Sequence, residues 1–448
     1  MAVGWWIIAG VVGTLCAVPL ILANPMVGAI MVAVAGGWWL FRLGSWRASY
    51  ALLLFFTLGA TSVVEPWVTI SLYARPVMLA ALIVATVQTT REVDRRPLRG
   101  LARWVLYPLY GMVLLALVST LWSPDWTTTL LQAGMLGGLV VLLHLLITRR
   151  WTDRATMVGD LRVSFYVVSV VFVLGILADI AGLLEPTWSG RFQGLLNNPN
   201  LAAQLAVLIF FLGLGLFLEH RAPWRLAWLV PAFVTVLLAE SRTVTLALAA
   251  GILIITLRTG MRGLLVFGAG CLAAIVAVLV VGPGPLGSVI ARFGDTAGGD
   301  ALAGRLTAWD NTFMLIGARP TGYGWGVTDV VLTGAYDSGQ SQVGFVTVHN
   351  SFLQVTLELG VLGVALLVVS LGAVGVRLFV GKAWGIEIGL IALVTAGGVV
   401  MWAESSVFGT GQSYPYLFWP AVAGLLAVNR SQQQSESVAG LEFSSYRR

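Results

Sequence analysis

The sequence predicts an all-α protein, a polytopic transmembrane helical bundle. Its composition, the spacing of its apolar segments and the placing of its positive charge predict this fold class. Hydrophobic residues make up 58% of the 448 residues and charged residues only 10%. Because a soluble globular protein carries roughly 25% charged residues, the composition excludes a water-soluble fold. No part of the chain outside the bilayer is long enough to form an independent soluble enzyme domain.

Apolar windows long enough to cross a bilayer, about 17 to 25 residues each, recur along the chain. They fall near 4–23, 25–41, 49–64, 66–87, 104–121, 128–147, 163–184, 200–218, 263–282, 350–376, 386–402 and 415–428. A further apolar stretch, 224–257, is interrupted at Glu240, Ser241 and Arg242. Basic residues flank this stretch on both sides, so it is interpreted as two short spans. The sequence therefore predicts about 14 spans in all.

Positive charge predicts the orientation of these spans. With both termini in the cytoplasm, most of the 26 Lys and Arg residues fall in cytoplasmic loops, as the positive-inside rule requires. The net charge of +6 is thereby explained without a nucleic-acid partner. The basic residues expected on the outer side are few, namely Arg191, Arg242, Arg292, Arg305 and Arg319.

The same patterns divide the chain into three parts. Residues 1–160 are expected to form an N-terminal transmembrane scaffold, and residues 161–428 a second transmembrane region. The polar residues 429–448, rich in Gln and Ser, are expected to be a disordered cytoplasmic tail. The second region contains the one large outer loop, 283–349.

Within the outer loop, apolar residues at helical spacing predict an amphipathic helix that lies on the membrane or caps a cavity. These residues are Leu302, Leu306, Trp309, Phe313 and Ile316. Three glycines then break the pattern, at Gly322, Gly324 and Gly326.

Arg242 is a candidate site residue because its turn is expected to lie below the outer membrane surface. Two spans of about 15 residues each rise only about 23 Å, which is less than a hydrocarbon core of about 30 Å. A guanidinium at that depth is costly unless it faces water or an anion. We therefore treat Arg242 as a candidate functional residue. Pairing with Glu240 is the structural alternative.

Arg191 and His349 are the other candidates on the outer side. The run Asn198-Pro199-Asn200 predicts a turn in which Asn200 caps the following helix. A helix N-terminus beside Arg191 would form an anion site. His349 stands where the outer loop enters a span and is the one plausible proton acceptor on that side. Considered alone, a role as a helix cap is the commoner one for such a histidine.

Motifs for metal or nucleotide chemistry are missing from the sequence. It has no Asp-x-Asp pair, no His or carboxylate cluster at metal-ligand spacing and no Walker-type glycine loop. Cys16 and Cys271 lie inside apolar runs and predict neither a disulfide nor a zinc site. We therefore expect no metal and no cofactor, with the chemistry done by arginines and one histidine.

The residues on the outer side resemble the O-antigen ligases and O-antigen polymerases of bacterial envelopes. Three segments carry the resemblance, in order: Gly190-Arg191-Phe192-x-Gly194 with Asn198-Pro199-Asn200; Glu240-Ser241-Arg242-Thr243; and Gly304-Arg305 through Trp309, Pro320-x-Gly322-x-Gly324, His349-Asn350, Glu358 and Gly360. The earlier spans match only as hydrophobic scaffold. The ligases are associated with about 12 spans, so that number is the alternative to about 14.

The resemblance implies a glycosyltransferase in the bacterial cytoplasmic (inner) membrane with its active site facing outward. It would move a glycan from a polyprenyl-pyrophosphate carrier to a hydroxyl of a glycan or lipid-linked acceptor, without a metal and with inversion. Arg191, Arg305 and Arg242 would bind the donor pyrophosphate, and His349 would be the general base. Supporting roles would fall to Asn198, Asn200, Asn350 and Glu358.

Other functions remain open at this stage. A polysaccharide polymerase of the same family would use the growing glycan as acceptor, and a protein-glycosylating relative would use a protein hydroxyl. A flippase or exporter of lipid-linked glycans would also have many spans and internal arginines. A flippase has no need of a long outer loop ending in a histidine, which favours the transferase.

Overall fold

The computed structural model describes residues 46–90, 98, 100–184, 190–221, 224–260, 305–338, 347–380, 383–408 and 412–427. Most of these residues are helical, with no β-strand among them, so the predicted all-α class is confirmed. The helices are α1 (Trp46–Gly59), α2 (Glu65–Thr89), α3 (Leu101–Val118), α4 (Trp126–Leu145), α5 (Arg154–Ile180), α6 (Pro199–His220), α7 (Leu229–Leu238), α8 (Arg242–Thr259), α9 (Arg305–Ala318), α10 (Thr328–Asp337), α11 (Ser351–Phe379), α12 (Ile386–Ala403) and α13 (Pro415–Ala427).

Among the described helices, 8 are long and apolar enough to cross a membrane: α2 to α6, α8, α11 and α12. They confirm the predicted windows that they occupy. The predicted spans 4–23, 25–41 and 263–282 and the tail 429–448 lie outside the described residues. The total of about 14 or about 12 spans and the cytoplasmic termini therefore stay predictions.

The interrupted stretch 224–257 is a broken pair of helices, but its halves are unequal. Helix α7 has 10 residues and rises about 15 Å, whereas α8 has 18 residues and rises about 27 Å. The prediction of two equal halves was wrong, because α7 is shortened by a separate helical turn, Trp224–Ala227. The turn between α7 and α8 is the one that contains Glu240 and Arg242.

Buried ion pairs mark one end of the bundle. Arg154, which opens α5, contacts Glu219 near the end of α6 at 2.8 Å and Glu387 near the start of α12 at 2.8 Å. Glu387 also pairs with Arg377, near the end of α11, at 3.4 Å. We call this the basic end of the bundle. Since α6 and α11 finish here and α12 begins here, the starts of α6 and α11 and the end of α12 lie at the opposite end.

The predicted outer-loop helix is present as α9, and its apolar residues have two environments. Trp309 and Ile316 pack against a small core formed by α10, α11 and the loops beside them. Leu306 and Phe313 are each 56% exposed. Leu302 lies outside the described residues. Exposed apolar side chains on this helix are consistent with contact to lipid.

Helix α10 was not predicted, because the three glycines before it suggested a break without further structure. The structure explains Gly322 and Gly324 by close backbone contact with α11, whereas Gly326 lies against the Gln132 side chain of α4. The backbone N–H groups of Tyr323 and Gly324 donate hydrogen bonds to the carbonyl oxygens of Leu357 and Glu358, both at 2.9 Å. Helix α11 is interrupted at Gly360, which has φ +69°. The loop thus satisfies the carbonyls that the break in α11 leaves free.

Candidate functional site

The candidate site is organised around Glu404, a carboxylate that follows the last residue of α12. One oxygen, Oε1, accepts a hydrogen bond from Arg305 Nη2 at 2.6 Å. The other, Oε2, lies 3.1 Å from His349 Nδ1. Glu404 is only 6% exposed, so solvent screens these contacts little. The carboxylate therefore couples a predicted phosphate-binding arginine to the predicted general base.

His349 immediately precedes the N-cap of α11. That N-cap is Asn350, whose side-chain oxygen accepts from the backbone N–H groups of Phe352 at 2.9 Å and Leu353 at 3.1 Å. The helix is thus already capped, and the alternative that His349 is the cap is wrong. His349 instead adopts φ +53°, a left-handed conformation that is uncommon outside glycine and clusters at functional sites.

Ser351 holds Glu404 beside the start of α11. Its hydroxyl donates to the backbone carbonyl of Glu404 at 2.7 Å. The same oxygen accepts from the backbone N–H groups of Ser406 at 3.0 Å and Val407 at 3.2 Å. Ser351 is fully buried. The segment that carries Glu404 is therefore fastened to the helix that carries His349.

These contacts determine which ring nitrogen of His349 can accept a proton. The Glu404 carboxylate, paired with a guanidinium, is a hydrogen-bond acceptor, so His349 Nδ1 donates to it. In the neutral imidazole, His349 Nε2 then has the lone pair, and it lies 2.8 Å from the Thr347 hydroxyl oxygen. An alcohol hydroxyl is thus already hydrogen-bonded to the nitrogen that a general base would use.

Arg191 lies against the start of α6. Its Nη2 donates to the Asn200 side-chain oxygen at 2.7 Å, and its Nε donates to the Ala239 carbonyl at 2.8 Å. The cap of α6 is Asn198, which accepts from the Asn200 N–H at 2.7 Å. The prediction that Asn200 caps the helix was therefore wrong by two residues. Pro199 at the first helical position leaves Asn198 as cap and Asn200 as a partner of Arg191.

The turn between α7 and α8 and the first residues of α8 contact both Arg191 and Arg305. The Ala239 carbonyl accepts from Arg191, and the Thr243 hydroxyl accepts from Arg305 Nη1 at 3.2 Å. Arg242 is half-buried in the same turn and opens α8. Glu240 has φ +47°. The structure thus brings the three arginines to one end of the bundle.

A small cavity lies beside His349 and Glu404. It is lined by Asn198, Asn200, Leu201, Gln204, Thr347, His349, Glu404, Ser405 and Gln412. Its volume is about 90 Å³, whereas pockets for drug-sized ligands measure roughly 300–1,000 Å³. The cavity can therefore enclose a reacting group but not a whole glycan.

The electrostatics of this end favour an anion. Helices α6, α8 and α11 all begin here, and each helix N-terminus carries a partial charge of about +0.5. Arg191, Arg242 and Arg305 add three positive charges, against the two carboxylates Glu240 and Glu404 in the same region. Within the described residues, no group of three or more His, Cys, Asp or Glu side chains could hold a metal ion. The expectation of a metal-free reaction stays a prediction.

Most of the predicted site residues lie at this end of the bundle. Two of them, Asn350 and Glu358, make contacts that stabilise the fold. Asn350 caps α11, and Glu358 lies deeper in the same helix. The Glu358 carboxylate accepts from the Thr328 hydroxyl at 2.6 Å and from Gln354 Nε2 at 3.0 Å. It thus ties α10 to α11 and does not line the cavity.

Glu404 is the residue that sequence reasoning missed. It follows the apolar run of α12 directly, whereas Arg242 was chosen because its turn was expected to lie within the membrane. Extending the same attention from arginines to carboxylates beside apolar runs would have identified Glu404. Gln204 and Gln412 carried no such signal, since a lone amide in an apolar helix has no motif around it.

The fold and this end of the bundle together define a polytopic helical membrane protein with a small cavity lined by His349 and Glu404, beside which the arginines lie. Residues 227–368 match the family model described as O-antigen ligase. This match confirms the resemblance that the sequence motifs indicated. It includes Arg242, Arg305 and His349, whereas Arg191 and Glu404 lie outside it. No curated protein matches the chain.

Proposed function

We propose that this protein is a membrane glycosyltransferase of the O-antigen ligase type. It transfers a glycan from a polyprenyl-pyrophosphate carrier to an acceptor hydroxyl at the outer face of the bacterial cytoplasmic membrane. The observation that carries the proposal is the Glu404 carboxylate, which joins Arg305 to His349 where three helices begin. The family match over 227–368 supports it. A polymerase would use the same site with the growing glycan as acceptor.

The donor pyrophosphate is assigned to the arginines and the helix N-termini. Pyrophosphate is already a good leaving group, so the protein has mainly to hold it and neutralise its developing charge. Arginine forks match phosphate geometry and bind it through paired hydrogen bonds. Arg191 and Arg305 carry this role, and Arg242 lies on the turn between them. The reaction needs no metal ion in this scheme.

The acceptor side of the reaction is assigned to His349. Its Nε2 takes the proton of the acceptor hydroxyl as the hydroxyl oxygen attacks the anomeric carbon of the donor. The bond between that carbon and the pyrophosphate oxygen breaks, and the electron pair leaves with the pyrophosphate. Direct displacement inverts the anomeric configuration. Glu404 positions His349 and stabilises the imidazolium that forms, as a carboxylate does in other histidine bases.

Glu404→Gln tests the positioning role of the carboxylate. Glutamine retains the size of the side chain but can donate as well as accept, so it no longer fixes His349 with Nε2 as the accepting nitrogen. We expect the transfer rate to fall by about 10²-fold or more. The pH profile of the remaining activity should shift, which a merely structural role would not produce. A variant with parental rate and parental pH profile would remove Glu404 from the mechanism.

The fate of the donor separates transfer from transport. Purified protein would be placed in proteoliposomes with a radiolabelled lipid-linked glycan on one leaflet and a candidate acceptor outside. A transferase cleaves the donor and leaves free polyprenyl pyrophosphate behind. A flippase moves the donor to the other leaflet intact, and that result would overturn the proposed function.

Metal independence is a further expected result, since arginines replace the cation in this scheme. Turnover by the purified protein should persist in excess EDTA with no divalent ion added. The measurement is the initial transfer rate with and without chelator. Complete loss that Mg²⁺ or Mn²⁺ specifically restores would place a carboxylate metal site in the mechanism.

The outward orientation of the site can be tested with cysteine labelling. Ser338 follows α10 in the predicted outer loop, and His220 ends α6 near the basic end; both are exposed. In a background with Cys16 and Cys271 replaced by alanine, Ser338→Cys should react with an impermeant maleimide added outside cells. His220→Cys should react only after the membrane is permeabilised. The reverse pattern would place the site in the cytoplasm.

A further inference from the structure

The hydroxyl of Thr347 lies against the nitrogen of His349 that the proposed mechanism uses. Its oxygen is 2.8 Å from His349 Nε2, while His349 Nδ1 is 3.1 Å from a Glu404 oxygen. In the neutral imidazole, Nε2 has a single lone pair and accepts one hydrogen bond at a time. Thr347 and a reacting hydroxyl therefore compete for the same atom.

The backbone beside Thr347 is anchored, so its hydroxyl can leave Nε2 by rotation of the side chain alone. Val348, between Thr347 and His349, is fully buried, and its carbonyl accepts from Trp309 Nε1 at 3.0 Å. Thr347 is itself exposed and lines the small cavity. A threonine side chain moves between a few staggered rotamers. The contact can therefore open and close while His349 and Glu404 stay in place.

Water is the competitor that threatens a pyrophosphate-linked donor. At His349 Nε2 it would hydrolyse the donor: the nitrogen takes a water proton, the water oxygen bonds to the anomeric carbon, and the pyrophosphate leaves with the electron pair of its bond to that carbon. A water molecule loses freedom when it replaces Thr347 and gains no further contact. A bound acceptor makes other contacts as well, which offset the loss of the Thr347 contact.

We propose that Thr347 is a specificity-determining residue that keeps water from the general base until an acceptor hydroxyl displaces it. This inference rests on the proposed function and adds the way in which the site favours its acceptor over water, a side reaction that active sites must suppress. Transfer of the glycan to Thr347 itself would block His349 Nε2 after one turnover. The inference therefore requires that the Thr347 hydroxyl does not react.

Thr347→Ala and Thr347→Ser test the inference on a defined polyprenyl-pyrophosphate glycan. Hydrolysis is measured without acceptor, as release of free glycan, and transfer is measured in parallel with glycan and lipid-linked acceptors. Alanine removes the hydroxyl, so the ratio of hydrolysis to transfer should rise by about 5-fold, the factor that corresponds to one neutral hydrogen bond. Serine retains a hydroxyl at this position and should keep the parental ratio.

Diethyl pyrocarbonate tests the same contact without any substrate, because it acylates an imidazole nitrogen that has a free lone pair. His349 should be modified about 5-fold faster in Thr347→Ala than in the parent or in Thr347→Ser. The exposed His220 is the internal reference and should react equally in all three. Modification of each histidine would be followed by mass spectrometry of its peptide.

Thr120→Ala is the matched control. The Thr120 hydroxyl donates to the Leu117 carbonyl at 2.7 Å, and Thr120 does not line the cavity. Its removal should change neither the hydrolysis ratio nor the modification of His349. Thermal unfolding shows whether each variant folds, and Thr347→Val replaces Thr347→Ala if the alanine variant does not.

Four results would overturn the inference while the parent still transfers the glycan. They are an unchanged hydrolysis ratio in Thr347→Ala, unchanged modification of His349, loss of both hydrolysis and transfer in a folded Thr347→Ala protein, and a glycan attached to Thr347 in the parent. Donor that no variant cleaves, with or without acceptor, would instead overturn the proposed function and this inference together. Faster modification of His349 in that case would show that the Thr347 contact exists and that the assigned reaction does not.

Discussion

His349→Ala is expected to lower the rate of glycan transfer by about 10²- to 10⁴-fold, the usual range for loss of a positioned general base. Donor affinity should stay within a few-fold of the parent, because His349 contacts Glu404 and Thr347 and is not assigned to the pyrophosphate. The two quantities would be measured separately, as single-turnover transfer and as equilibrium binding of the lipid-linked donor. A large loss in rate with unchanged binding identifies a residue that acts in the chemical step.

His349→Asn is the sharper control for the same prediction. Asparagine tolerates the left-handed φ of +53° that His349 adopts, and Asn350 already caps α11. The variant should therefore fold like the parent and still be inactive. Near-parental transfer by His349→Asn would remove the general-base assignment.

Arg305→Ala and Arg191→Ala are expected to abolish transfer and to weaken donor binding by at least about 10-fold each. Hydrogen bonds to charged groups contribute about 1.5–3 kcal/mol, and each arginine is assigned to both the bound donor and the leaving group. Lysine at either position retains the charge and loses the fork, so Arg305→Lys should bind the donor better than Arg305→Ala and still transfer poorly. Donor binding would be measured by titration of the lipid-linked pyrophosphate.

Arg319→Ala is the control for the arginines. Arg319 is also predicted to lie on the outer side, but its guanidinium stands 5.4 Å from the Tyr323 ring centre and contacts the Trp122 carbonyl at 3.4 Å. It therefore belongs to the loop that docks on α11. Its removal should leave donor affinity unchanged. Equal losses in Arg319→Ala and Arg305→Ala would show that general positive charge, and not the assigned arginines, binds the donor.

Hydropathy predicted most of the described helices because a bilayer requires a fixed length of apolar chain. The turn at Glu240 and Arg242 was also predictable, since two charges interrupt an otherwise apolar stretch. Helix α10 was not predictable from the sequence. Its apolar residues pack against α9 and α11, and the glycine-containing loop before it is held by backbone hydrogen bonds to Leu357 and Glu358, which only the structure shows. Tertiary contact, and not local pattern, forms that region.

Sequence reasoning selected the cationic residues and the histidine of the candidate site and missed its carboxylate. Arg191, Arg305 and His349 stood out because charged or titratable residues are scarce on the outer side. Glu404 is 55 residues from His349 and 99 from Arg305 along the chain, so no motif spacing connects them. The N-cap of α6 was misassigned because Asn198 and Asn200 can both cap a helix, and only the backbone geometry shows which of them does.

Product identity tests the central claim of glycosyl transfer most directly. Purified protein would be incubated with one defined polyprenyl-pyrophosphate glycan and a set of glycan, lipid-linked and peptide acceptors, and the products would be analysed by mass spectrometry. We expect an acceptor whose mass has increased by one donor glycan, together with an equal amount of free polyprenyl pyrophosphate, and neither product with His349→Asn. Folded parent protein that binds the donor and leaves every acceptor unmodified, or a His349→Asn variant that forms the same product at the parental rate, would contradict the account.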